Sequence, residues 1–156
     1  MALSVGTKAP DFKLFNTDKK EVSLADFKGK NLVMQFFPAA FTGVCTAQMC
    51  SSRDELSLYN DLNASVVGIS VDMLFSLAEF KAKNAINFDL ISDFNKTLIK
   101  DYDMVFENFA FGIKGVAARG TIVVDKDGVI QYVEVTPSPG DQVNFAALKA
   151  ALEKLK

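Results

Sequence analysis

The stretch NLVMQFFPAAFTGVCTAQMC, from Asn31 to Cys50, predicts a buried strand, a loop and the start of a helix. Its first seven residues form an apolar run, which suits a strand covered on both faces. Pro38 ends that run and biases the residue before it toward an extended conformation. A helix is predicted over Val44–Leu62, and a second apolar strand follows at Ser65–Val71. This order predicts a right-handed crossover between two parallel strands.

The rest of the chain adds further elements around this unit. In chain order we predict an extended segment at Phe12–Phe15, a polar turn that closes at Gly29, a helix at Leu74–Asn84, a strand at Phe88–Ile91, one or two helical turns at Asn95–Tyr102, a hairpin at Thr121–Val135 and a helix at Gln142–Leu155. Together these elements predict an α/β fold with a mixed central sheet flanked by helices. It matches a thioredoxin-like fold with an N-terminal extension, as one domain over residues 1–156.

The composition excludes several classes of function. The 156 residues are 49% hydrophobic and 23% charged, as in ordinary globular proteins, and the net charge is −2. We therefore expect no nucleic-acid partner. The sequence shows neither a secretory signal nor an apolar run long enough for a membrane span, so we expect a cytoplasmic protein with reduced thiols.

The chain contains no histidine and only two cysteines, Cys45 and Cys50. Nucleophile pairs that use histidine and imidazole ligands for zinc are therefore excluded. A reactive thiolate here must be stabilised by arginine, lysine or helix N-terminal amides. The chain offers two arginines, Arg53 and Arg119.

The loop before the predicted helix places one thiol where a thiolate is stabilised. Thr42 is a good N-cap residue, whose hydroxyl can accept a hydrogen bond from an amide two or three residues later. Cys45 then lies in the first turn, where the helix dipole favours an anion. Each residue also has a plainer interpretation: Thr42 as an ordinary cap, Cys45 as a small buried apolar residue, and Arg119 as a surface charge.

Several motifs together resemble one family. Pro38-x-x-x-Thr42-x-x-Cys45 is similar to the P-x-x-x-[TS]-x-x-C signature of peroxiredoxins, the cysteine-dependent peroxidases. Neighbouring segments agree in order along nearly the whole chain: KAPDFKL at Lys8–Leu14, GISVD at Gly68–Asp72, LISD at Leu90–Asp93 and ARGTIVVDKDGVI at Ala118–Ile130. FFPAAFTGVC resembles the one-cysteine alkyl hydroperoxide reductase E type. CTAQMC followed by RD resembles the bacterioferritin-comigratory or peroxiredoxin Q type.

The resemblance implies a mechanism and a set of partners. Cys45 would attack a hydroperoxide and become a sulfenic acid, Thr42 would bind the peroxide, Arg119 would hold the thiolate, and Pro38 would shield the pocket. No metal or organic cofactor is implied. The implied reductant is an external thiol protein of the thioredoxin, glutaredoxin or mycoredoxin kind. A homodimer or higher oligomer is also implied, and the aromatic segment VFENFAFGI (Val105–Ile113) offers an apolar surface for it.

Cys50 has two open interpretations, an inert thiol or a resolving cysteine. Five residues along a helix correspond to about 7.5 Å of rise and about 140° of rotation, so a bond with Cys45 requires local unwinding. Two other classes of function also stay open. A thioredoxin-like thiol-disulfide carrier would normally show C-x-x-C, whereas four residues separate these thiols. A non-enzymatic oligomeric holdase would not need Pro38, Thr42, Cys45 and Arg119 together.

Overall fold

The computed structural model describes residues 3–155 and contains one seven-stranded sheet with helices on both faces. The strands are β1 (Lys13–Asn16), β2 (Glu21–Ser23), β3 (Asn31–Phe36), β4 (Ala64–Ser70), β5 (Asp89–Ser92), β6 (Val105–Asn108), β7 (Lys114–Ala117), β8 (Gly120–Val124) and β9 (Ile130–Val135). The α-helices are α1 (Gly43–Asp54), α2 (Leu56–Asp61), α3 (Leu74–Lys83), α4 (Thr97–Asp101) and α5 (Phe145–Glu153).

Strand β3 lies inside the sheet, whose order is β2-β1-β5-β4-β3-β8-β9. It pairs in parallel with β4, from Asn31 beside Ala64 to Phe36 beside Ile69, and antiparallel with β8. Every residue of β3 is buried, as expected for a strand that is covered on both faces. The predicted parallel crossover and the mixed sheet are therefore confirmed.

Alternate residues of β3 enter two different apolar clusters, because successive side chains of a strand point to opposite faces. Leu32, Met34 and Phe36 pack with residues of α4, whereas Val33 packs with residues of α1, α2, α3 and α5. Gln35 lies on the same face as Val33 and therefore points toward the layer that contains α1.

Three parts of the predicted secondary structure are wrong. The polar turn before Gly29 contains β2 and a 3₁₀ turn at Leu24–Phe27. The helix predicted over Val44–Leu62 is interrupted at Glu55, whose ψ of 6° departs from helical geometry, although no proline or glycine marks the break. The aromatic segment forms a separate two-stranded hairpin of β6 and β7, which the sequence pattern did not indicate.

Candidate active site

The loop between β3 and α1 is held by a carboxylate from the next strand along the sheet. Asp72, just after β4, accepts a hydrogen bond from the Ala40 amide at its Oδ2 atom (2.7 Å) and another from the Ser70 hydroxyl (2.7 Å). Phe41 adopts a positive φ of 67° and lies edge-on against Phe80, with 5.3 Å between ring centroids. The loop that leads into α1 is therefore held by a hydrogen bond to its backbone and by the packing of the Phe41 side chain.

Cys45 is the third residue of α1 and lies in its first turn, as predicted. Its side chain has no exposed surface and packs in the same apolar cluster as Met49 and Phe37. The first helical hydrogen bond runs from the Thr46 amide to the Thr42 carbonyl (2.9 Å). The sulfur therefore belongs to the positively polarised end of the helix, where an anion is stabilised.

Arg119 brings a positive charge to this sulfur from the segment between β7 and β8. The Arg119 Nη2 atom donates to the Cys45 Sγ atom at 3.2 Å, although the two residues are 74 positions apart. The next residue, Gly120, allows the close approach of β9, because a side chain there would overlap the Glu134 carbonyl. The structure therefore brings Cys45 and Arg119 together and excludes the interpretation of Arg119 as a surface charge.

The guanidinium of Arg119 is buried, with 3% of the residue exposed, and its other partners are uncharged. Nε and Nη2 both donate to the Pro139 carbonyl, at 2.9 and 2.8 Å, and Nη1 donates to Gln48 Oε1 at 2.9 Å. None of the ion pairs found among residues 3–155 includes Arg119. Because a buried charge without a counter-ion is costly, a thiolate at Cys45 is the natural partner of this cation.

Thr42 occupies the predicted N-cap position, with extended dihedral angles (φ −91°, ψ 153°), but the predicted side-chain cap is wrong. Its hydroxyl donates to the Ala39 carbonyl at 2.8 Å instead of accepting from a helix amide. The tight loop places a carbonyl three residues back within reach of the hydroxyl, which explains the difference. No hydrogen bond between Thr42 and Cys45 is found among residues 3–155.

Pro38 and Cys50 are the remaining predicted site residues. Pro38 is buried and lies two residues after the end of β3. Cys50 is half-buried, and both cysteines are free thiols. Since α1 is continuous from Gly43 to Asp54, the two thiols lie on different faces of one helix. A resolving role for Cys50 stays a prediction.

The second arginine, Arg53, lies outside the site. Its Nε atom donates to Asp54 Oδ1 at 2.9 Å, and its Nη1 atom donates to the carbonyl of Asn84, at the end of α3, at 2.6 Å. Arg53 therefore forms an ion pair with the neighbouring carboxylate of Asp54. Arg53 links α1 to the end of α3 and does not contribute to the surroundings of Cys45.

Sequence reasoning missed the hydrogen-bond partners of the Arg119 guanidinium, which are Gln48 and the Pro139 carbonyl. It also missed Gln35 and Thr121, which continue the hydrogen bonds from Gln48, and Asp72, which holds the loop. A glutamine in the middle of an otherwise apolar strand was the one visible signal, since buried polar groups need partners. Among residues 3–155 no group of three or more histidine, cysteine or acidic side chains could bind a metal ion, and no helix has the length and apolarity of a membrane span.

The fold and the site define a class: a thioredoxin-like domain with a buried cysteine at a helix N-terminus, facing an arginine. The profile of the AhpC/TSA family matches residues 5–133. The chain therefore belongs to the AhpC/TSA family, and the predicted peroxiredoxin relationship is confirmed.

Named relatives agree with this assignment. The chain is 38% identical over 131 residues to "Peroxiredoxin Q, chloroplastic" of Oryza sativa subsp. japonica, which covers 84% of this chain and 58% of that protein. It is 38% identical over 146 residues to "Thioredoxin-dependent peroxide reductase, mitochondrial" of Rattus norvegicus, covering 87% of this chain and 55% of that protein. The chain thus spans less than two thirds of either relative.

A solved structure confirms the fold. The crystal structure of peroxidoxin BcpB from Mycobacterium tuberculosis is 25% identical, superposes with a TM-score of 0.86 and covers 99% of both chains. The predicted thioredoxin-like fold is therefore confirmed over nearly the full length of this chain.

Proposed function

We propose that this chain is a thiol-dependent peroxidase that reduces hydrogen peroxide or organic hydroperoxides, as an antioxidant enzyme of the cytoplasm. The observation that carries the proposal is the buried contact of 3.2 Å between the Arg119 guanidinium and the Cys45 sulfur. A cation in a buried site favours the thiolate, which is the nucleophilic form of cysteine. The relatives named as a peroxiredoxin and as a thioredoxin-dependent peroxide reductase support the same chemistry.

In the proposed reaction the Cys45 thiolate attacks one oxygen of the hydroperoxide, and the O–O bond breaks. The sulfur is oxidised to a sulfenic acid, and the other oxygen takes up one proton, which replaces the one released when the thiol ionised, and leaves as water or an alcohol. Arg119 stabilises the thiolate before the attack and the leaving oxygen during it. The dipole of α1 acts on the same charge, because Cys45 lies in its first turn.

Thr42 and Pro38 complete the proposed peroxide site. The Thr42 hydroxyl donates to the Ala39 carbonyl, and a rotation about its side-chain bond would let it bind a peroxide instead. Pro38 would keep water away from the thiolate. Since Cys45 has no exposed surface, a peroxide reaches it only after the covering segments move. The Gln142 side-chain amide contacts the start of α1, where it donates to the Val44 carbonyl at 3.4 Å.

A thiol must then reduce the sulfenic acid to complete the cycle. We propose an external thiol protein of the thioredoxin, glutaredoxin or mycoredoxin kind as the final reductant. Cys50 would act first if α1 unwinds, because its thiol could then displace water from the oxidised Cys45 and form a disulfide. If α1 stays helical, the external thiol would attack Cys45 directly and Cys50 would be silent.

Turnover of hydrogen peroxide with dithiothreitol as reductant tests the proposed function. We expect the wild-type chain to consume peroxide and Cys45→Ser to consume none, with an unchanged circular dichroism spectrum. Cys50→Ser is the matched control, since it removes a thiol from the same helix and should still turn over with dithiothreitol. A folded Cys45→Ser variant that retains the wild-type rate would refute the assignment.

We also propose that the protein is a homodimer or higher oligomer. The hairpin of β6 and β7 carries an apolar tip, with Phe111 99% exposed and Ile113 48% exposed. Such a surface is costly in water and suits a contact with a second copy. Light scattering at micromolar concentration should give a mass of at least two chains, and Phe111→Ser should lower it. Monomers in the wild type would contradict this proposal.

A further inference from the structure

A cleft of about 610 Å³ lies at the start of β3, whereas Cys45 follows the other end of that strand. Its walls come from three segments: the residues before β1, those between β2 and β3, and the turn between β8 and β9. Leu32 of β3 and Val124 of β8 are paired in the sheet, and both line the cleft. We call it the lysine cleft. Its size is typical of sites that bind small molecules.

Backbone hydrogen bonds join the walls of the lysine cleft. The Ala9 amide donates to the Gly128 carbonyl at 2.9 Å. The Gly29 amide donates to the Lys126 carbonyl at 3.2 Å. Asp125 holds the turn between β8 and β9, because its Oδ1 atom accepts from two amides of that turn, at 2.9 and 3.0 Å. The cleft is therefore preformed, and a ligand would not have to order a loop in order to bind.

Four lysines line the cleft, and all three segments contribute: Lys8, Lys28, Lys30 and Lys126. In the part of the chain that the structure describes, residues 3–155, no ion pair includes any of them. Lys28 and Lys30 flank Gly29, whose amide is bonded to the backbone of Lys126, so three of the positive charges come from adjacent backbone. An anion between them would offset their mutual repulsion, and lysine is a common partner of phosphate.

The floor of the cleft is apolar and would stay uncovered by a phosphate alone. Ala9, Leu32 and Val124 are buried, and the half-buried Leu24 and Phe27 pack against the same apolar cluster. The Phe27 ring offers a flat surface on which another ring can stack. The floor therefore favours a ligand that joins an aromatic ring to its phosphate.

The remaining charged groups select further among such ligands. Asp11 and Asp127 also line the cleft, and both are exposed. Ionised carboxylates only accept hydrogen bonds, so a suitable ligand must bring donors as well as an anion. A fatty acid or inorganic phosphate brings no hydroxyl for them. A ribose does, because its hydroxyls can donate to carboxylates.

We propose that the lysine cleft is a binding site for a nucleoside phosphate. The phosphates bind among the four lysines, the base lies on the apolar floor beside Phe27, and the ribose hydroxyls donate to the aspartates. This site shares no residue with the surroundings of Cys45, and the inference does not depend on the proposed peroxidase function.

Isothermal titration calorimetry of the wild-type chain with ADP, adenosine and inorganic pyrophosphate tests the site at low ionic strength. We expect ADP to bind one site per chain, and adenosine and pyrophosphate to bind at least about tenfold more weakly, since each meets only part of the cleft. The amide signals of Gly29 and Gly128 in nuclear magnetic resonance spectra should shift on addition of ADP, because both residues belong to its walls.

Variants of exposed residues separate the two halves of the site. Lys28→Gln combined with Lys126→Gln should weaken ADP binding by about tenfold or more, because two phosphate partners lose their charge. Lys83→Gln is the matched control, since this exposed lysine at the end of α3 does not line the cleft, and it should bind ADP as the wild type does. Phe27→Leu should weaken ADP binding several-fold and leave pyrophosphate binding unchanged.

Absence of saturable ADP binding would overturn the inference. Equal affinities for ADP and pyrophosphate would do so as well, because they would show only an attraction of phosphate to surface charge. ADP binding that is unchanged by the two lysine substitutions would place the nucleotide elsewhere and would also overturn it. The titrations use no peroxide, so a chain that binds ADP but does not reduce peroxide would retain this inference and refute the proposed function.

Discussion

The two cysteines of α1 each lie near one of the two arginines, but the two surroundings differ in charge balance. Arg119 is buried, has no carboxylate partner and donates to the Cys45 sulfur. Arg53 forms a hydrogen-bonded ion pair with Asp54. This hydrogen bond is the main reason that the pKa of Arg53 is raised, and the nearby Cys50 raises it less. The two arginines therefore differ in the charge that they leave available to the neighbouring thiol, because only Arg119 is buried without another anion.

Replacement of the two arginines, one at a time, should reveal the largest difference between the two surroundings, measured as the rate of reaction with peroxide. We expect Arg119→Met to slow the first reaction with peroxide by about 10²–10³-fold, because a donor aimed at the developing charge is lost. Arg119→Lys should be intermediate, since an ammonium cannot bond sulfur and carbonyl through a planar fork. Stopped-flow measurement of peroxide consumption checks both variants.

Arg53→Met is the matched control for that experiment, because it removes a cation from the same helix as Cys45. We expect no change in the rate with peroxide and only a small loss of stability, as for other exposed ion pairs. A rate that falls equally in the two methionine variants would show that the availability of the Arg119 charge is not the cause.

Removal of Cys50 should have a smaller effect, which is seen in the oxidation product of Cys45. We expect one equivalent of peroxide to give a Cys45–Cys50 disulfide within one chain, seen as a loss of two hydrogens in the intact mass. Cys50→Ser should instead accumulate sulfenic acid and overoxidise readily to the sulfinic form. Sulfenic acid without a disulfide in the wild type would place the protein among one-cysteine enzymes.

Replacement of Asp72 should change the rate with peroxide least. Its main effect should be on the stability of the loop that the carboxylate holds. Asp72→Ala leaves the Ala40 amide and the Ser70 hydroxyl without their acceptor, so we expect a loss of about 1–3 kcal/mol in unfolding free energy. Asp72→Asn retains an acceptor oxygen and should lose less. Urea unfolding measures both variants, and equal stabilities would contradict the role of the carboxylate as a tether.

The positions of Cys45 and Arg119 could be predicted from sequence, whereas the residues that hydrogen-bond around Arg119 could not. Both belong to motifs of the family, and the apolar run of β3 predicted that Cys45 lies in the helix that follows a buried strand. Gln48 has no local signal, and Gln35 was marked only as a polar residue in an apolar strand, because their hydrogen bonds form only when β3, β8 and α1 come together.

Thr42 is another residue whose position could be predicted from sequence although its contacts could not. Its N-cap position was predictable from residue type, but the partner of its hydroxyl was not. The loop is held by Asp72, which lies thirty residues later in the sequence, and that geometry brings the Ala39 carbonyl to the hydroxyl. The break at Glu55 also has no local signal, since no proline or glycine precedes it.

The most direct test of the account compares the two thiols in single-cysteine variants. The rate constant for reaction with hydrogen peroxide is measured in Cys50→Ser, which retains Cys45, and in Cys45→Ser, which retains Cys50. We expect Cys50→Ser to react as fast as the wild type, whereas Cys45→Ser should react no faster than a free thiol in solution. Equal rate constants in the two variants would contradict the claim that the buried Arg119 selects Cys45.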